Sequence, residues 1–113
     1  MTQLPKIIEN FVKSYDAMVG IFAYTVGELS RSLPQSDHFC KAANHLLPAA
    51  NQLLATTRKY DENDYFSSEK TSQLLDELLT SDSPTFEAVQ RIGLMPLIRK
   101  IQMYRHLIQA IKN

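Results

Sequence analysis

The sequence predicts an all-α protein, and three observations carry the prediction. Only three glycines occur in 113 residues. No stretch alternates apolar and polar residues as a half-buried strand would. Leucine, isoleucine and alanine recur instead at three- and four-residue steps along most of the chain, the spacing that places side chains on one face of a helix. At this length the chain is expected to form one domain, residues 1–113, large enough to bury a core without disulfides.

The first helix is predicted to start near Pro5, a residue suited to a first turn, and to end near Ser32, before Leu33-Pro34. Ile8, Phe11, Tyr15, Met18, Phe22, Val26 and Leu29 form its seam. Gly20 and Gly27, seven apart, mark either a close helix crossing or two tolerated glycines. After the link SLPQSD, in which Ser36 or Asp37 can cap, the stretch Ser36–Tyr60 forms the second helix, packed antiparallel to the first because the link is short. Its apolar face is Phe39, Ala43, Leu46, Leu47, Ala50, Leu53, Leu54 and Thr57. Pro48 deletes one backbone bond in mid-helix, so a kink is expected there. Cys40 reads as a small buried hydrophobe rather than a nucleophile.

A polar, acidic link, DENDYFSSE, leads to a third helix from about Asp64 to Thr80 with Leu74, Leu75, Leu78 and Leu79. Ser83 then caps, and Pro84 opens, a short helix through Ile92. Gly93 and Pro96 bracket a turn or kink before a longer helix whose seam is Leu97, Ile98, Ile101, Tyr104, Ile108 and Ile111. Met103 and Tyr104 cannot both face the core, so one of them marks a candidate subunit contact. These segments and short links predict an up-down-up-down four-helix bundle with kinks near Pro48 and Gly93-Pro96.

Twelve basic and twelve acidic residues cancel, yet their distribution is uneven. Residues 61–87 carry eight acids against Lys70, a net of minus seven, while residues 88–113 carry Arg91, Arg99, Lys100, Arg105 and Lys112 and no acid, a net of plus five. Two readings follow. The charges of neighbouring helices can face one another across a seam, each pair contributing at most a fraction of about 1 kcal/mol. Alternatively the basic side of the last helix, joined by Arg58 and Lys59, contacts a phosphate backbone or an acidic protein.

Other chemistries lack their residues. His38, His45 and His106 have no Glu-x-x-His partner of the kind that holds metal in bundles, so no metal site is expected. No nucleophile, base and orienting acid can be grouped, and no glycine loop can cradle phosphate, so neither an enzyme nor a cofactor is expected. The segment FEAVQRIGLMPLIRKIQMYRHL places its glycine one residue late for a helix-turn-helix and has an apolar turn. With no apolar run of membrane-spanning length and no signal-peptide core at MTQLPK, the expectation is a soluble cytoplasmic protein.

The stretch YDAMVGIFAYTVGELSRSLPQSDHFCKAANHLLPAANQLL resembles the four-helix-bundle family of 23S rRNA intervening-sequence proteins and accessory proteins of diversity-generating retroelements. The resemblance lies in Tyr15 near the start of the first helix, the Leu33-Pro34 stop, Phe39 five residues on, and an Ala/Leu-rich second helix. It implies a homo-oligomeric ring, a pentamer in characterised members, that binds nucleic acid and, in the retroelement group, a reverse transcriptase. Arg58, Lys59, Arg91, Arg99, Lys100 and Arg105 are the candidate nucleic-acid contacts. This sequence departs from the family in its zero net charge and in ending its last helix with HLIQAIKN. The function expected is thus a non-enzymatic, self-associating accessory protein of a nucleic-acid enzyme or ribonucleoprotein. The alternative is a protein-only module, such as a secretion chaperone, antitoxin or toxin-immunity protein, that meets its partner through the acidic 61–87 region.

Overall fold

The computed structural model describes residues 6–57 and 69–112. Five helices follow in order: α1 (Lys6–Ser32), α2 (His38–Thr57), α3 (Glu69–Leu79), α4 (Pro84–Arg91) and α5 (Met95–Lys112). No strand occurs among the described residues. One buried cluster draws side chains from all five helices, with Tyr15, Phe22, Leu46, Leu53, Leu75, Leu78, Val89, Ile98, Ile101 and Ile108 fully buried.

Helix α1 packs on both α2 and α5, and that double duty widens its buried face. The expected seam is present, with Ile8, Tyr15, Phe22 and Val26 buried, but Val12 and Val19 are buried as well. Phe11, Met18 and Leu29 only flank the core, and the Phe11 ring lies 5.8 Å from that of Tyr104 on α5. Gly20 and Gly27 mark no close crossing. A β-carbon on Gly20 would meet nothing within 4 Å, and the three atoms nearest one on Gly27 all belong to the guanidinium of Arg31 on the same helix.

The link to α2 is closed by Asp37, whose carboxylate accepts from the N–H groups of Phe39 at 2.7 Å and Cys40 at 3.4 Å. It therefore satisfies donors that the first helical turn leaves open. Across this link the Cys40 thiol donates to the Ser30 carbonyl and the Ser30 hydroxyl meets Asn44, so α2 folds back along α1. Phe39 is a correction to the expected seam. It is 47% exposed, and its neighbour Cys40 is fully buried. The rest of the expected face is present, with Ala43, Leu46, Ala50 and Leu53 buried, and Ala42 and Ala49 widen it on one side. Pro48 lies inside α2, which continues through it without a break.

Between α3 and α4 the hydroxyl of Ser83 does two jobs. It accepts from the Phe86 N–H at 2.9 Å, capping α4, and donates to the Glu77 carbonyl at 2.6 Å in the last turn of α3. Helix α4 ends in a Schellman motif: the Leu94 N–H bonds to the Val89 carbonyl and the Gly93 N–H to that of Gln90, at 3.0 and 3.1 Å. Gly93 sits at φ +74°, a conformation that costs side-chain-bearing residues about 1 kcal/mol or more. Of the turn or kink expected at Gly93-Pro96, the structure has the turn, which separates α4 from α5. Pro96 falls in the first turn of α5, where its missing N–H has no helical acceptor to lose.

Candidate functional site

The candidate cations separate into three environments. Arg99 and Lys100 are exposed on α5, Arg91 is exposed at the end of α4, and Arg105 is buried. Arg58 and Lys59 lie outside the described residues.

Arg105, 3% exposed, is a correction. It occupies the core-facing side of α5 with Ile98, Ile101 and Ile108. Desolvation pulls its pKa below the usual arginine range, while the Tyr15 and Asp76 side chains oppose that shift electrostatically. The guanidinium thus lies within electrostatic reach of Asp76 on α3. It is not presented to a ligand at the surface.

The outward face of α5 follows from its period. Residues 103, 107 and 111 stand four apart, hence in a stripe, and Met103, Leu107 and Ile111 are 46%, 36% and 38% exposed. Ile111 had been expected in the seam. Of the Met103 and Tyr104 pair, Tyr104 packs on the core and Met103 points outward. Lys100 and Arg99 border the stripe, and neither makes an ion pair among the described residues. Helix α5 contains no acid. Elsewhere on the same chain Glu69, Asp76, Glu77, Asp82 and Glu87 are exposed on α3, α4 and the turn between them.

A second feature was not legible in the sequence because it depends on how α4 crosses α2. The two helices bound an open groove of about 400 Å³. His38, Lys41 and His45 line it from α2, and Glu87 and Arg91 from α4. Its floor is apolar, formed by Ala42 and Ala88, which are buried, and by Pro84. The His38–His45 spacing had placed both rings on one face of α2; what was missing was the element that faces them. Among the described residues no cluster of three or more potential metal ligands occurs. No described helix is long and apolar enough to cross a membrane.

No family model, curated protein or solved structure matches this chain.

Proposed function

We propose that this protein is a non-enzymatic helical adaptor that self-associates through the outward face of α5. The observation that carries this reading is the stripe of Met103, Leu107 and Ile111 beside Arg99 and Lys100. Covering the exposed part of these three apolar side chains, a little over a third to a half of each, contributes about 1 kcal/mol per residue. The occupant we assign is a second copy of this chain. Its acidic α3–α4 surface complements Arg99 and Lys100 of α5, which have no ion pair among the described residues, and a net charge of zero gives the copies little mutual repulsion. Contact between two different surfaces of one protein is heterologous and closes into a ring when the rotation permits. That geometry agrees with the homo-oligomeric ring implied by the family resemblance.

Within each copy, α3 and α4 together take the place of the third helix of an up-down-up-down four-helix bundle. Supporting this is the Ser83 hydroxyl, which joins the last turn of α3 to the first turn of α4.

The test is the double variant Met103→Glu with Leu107→Glu, followed by sedimentation velocity and far-UV circular dichroism. Both positions are exposed, so helicity should stay at the parent level while the assembly falls to monomer. An unchanged sedimentation coefficient rejects α5 as the contact.

A second reading, that the assembly is accessory to a nucleic-acid enzyme, is favoured by the unpaired state of Arg99 and Lys100 among the described residues. With Arg105 buried, Arg91, Arg99 and Lys100 are the described candidates left for it. Arg99→Glu with Lys100→Glu should abolish binding to a short structured RNA while leaving the fold intact. Unchanged binding removes both residues from that role.

A further inference from the structure

We infer that the groove between α2 and α4 is a binding site for a small phosphorylated molecule, a ligand with one phosphate or diphosphate group and a compact, flat apolar body. The inference is independent of the α5 reading, since it uses other residues on another face. Four basic side chains, His38, Lys41, His45 and Arg91, line one groove together with a single carboxylate, Glu87. All five are exposed.

Arg91 stands four residues after Glu87, a spacing at which the two side chains can pair along a helix. No such ion pair forms, and Lys41 has none either among the described residues. The cations therefore retain their hydrogen-bonding capacity for an external acceptor. Lys41 supplies a compact ammonium and Arg91 a planar fork that matches two oxygens of a phosphate at once. They come from different helices and line the same groove.

The floor determines the rest of the ligand. Ala42, Ala88 and Pro84 are the apolar part of the lining, suited to the face of a small ring. A volume of about 400 Å³ lies toward the small end of the range for small-molecule sites.

The probes are inorganic pyrophosphate and adenosine 5′-monophosphate, titrated separately into the full chain and read by amide ¹H–¹⁵N chemical shifts. Saturable shifts confined to residues 38–45 and 84–91 are expected, with the monophosphate binding more tightly than inorganic phosphate in a parallel titration because its ring covers the floor. Lys41→Ala and Arg91→Ala, both exposed substitutions that leave the amide spectrum otherwise unchanged, should each weaken pyrophosphate at least about tenfold, the loss typical of one charge-assisted contact. Absence of saturation, equal binding by both variants, or shifts centred on Arg99 and Lys100 would overturn the assignment. A ten-nucleotide single-stranded RNA that binds the groove far more tightly than the monophosphate would also overturn it, by making the groove part of a nucleic-acid track.

Discussion

Replacing Arg105 separates a structural cation from a surface one. Its side chain is 3% exposed and packed among Ile98, Ile101 and Ile108, so Arg105→Ala removes both the methylene stem and the guanidinium from a filled space. Large-to-small changes in such sites cost about 2–5 kcal/mol. Of the two groups that favour its charge, Tyr15 and Asp76, the carboxylate is exposed, so no buried carboxylate is stranded and the lower half of that range applies. We expect about 3 kcal/mol, equivalent to a fall in Tm of roughly 12 °C for a domain of this size. Arg105→Met keeps the stem volume and discards a desolvated charge, and such replacements are often neutral or stabilising; it should lie within about 1 kcal/mol of the parent. Urea unfolding followed by circular dichroism gives both values. Two results would refute the reasoning: an Arg105→Ala midpoint equal to the parent's, which would mean that the side chain is not part of the core, or a methionine variant as unstable as the alanine variant, which would mean that its charge rather than its packing is required.

Three further substitutions test separate local arguments. Ser83→Ala removes the cap of α4 and the bond to Glu77 together, and should cost about 2 kcal/mol by urea unfolding; a loss below about 0.5 kcal/mol would show that α4 does not depend on its cap. Gly20→Ala places a methyl group where nothing lies within 4 Å, and should stabilise by about 0.5–1 kcal/mol through helix propensity, so a lower Tm would reveal a contact at that face. Burial pushes the Asp16 carboxyl from its ordinary value of 3.8 up to about 6, and its Oδ1 has no hydrogen-bond partner among the described residues. A pKa raised on folding favours the native state below about pH 4, and that contribution is lost as pH rises through about 6. Asp16→Asn should therefore stabilise at pH 7.5 by about 1 kcal/mol, allowing for the side chain's partial exposure. The gain should disappear at pH 4, and an equal gain at both pH values would assign it to something other than ionisation.

The elements themselves were readable because local chemistry marks them. Asp37, one of two expected caps, Ser83 with Pro84, and the turn at Gly93 each sit where the sequence placed them, and the starts of α2 and α4 and the end of α4 follow from them. Burial was less legible. Periodicity identifies a stripe, but its width depends on how many partners the helix meets: α1 has two, so Val12 and Val19 joined its core, and at the first turn of α2 Cys40 is buried in place of Phe39 while Ala43, Leu46, Ala50 and Leu53 stay in the stripe. The same limit applies to charge. Arg105 and Lys100 are five residues apart with the same formal charge, and only the positions of α1 and α3 make one internal and the other exposed. The groove of Lys41 and Arg91 joins residues fifty positions apart that share no motif, and the placement of α4 alone brings them together.

The measurement that tests the central claim most directly is the solution mass of the unmodified chain by light scattering, at low and moderate salt. The account predicts a multimer of the 12.9 kDa chain, weakened but not abolished by salt, because apolar contact carries the interface and charge only supports it. A monomer at both salt concentrations would contradict it.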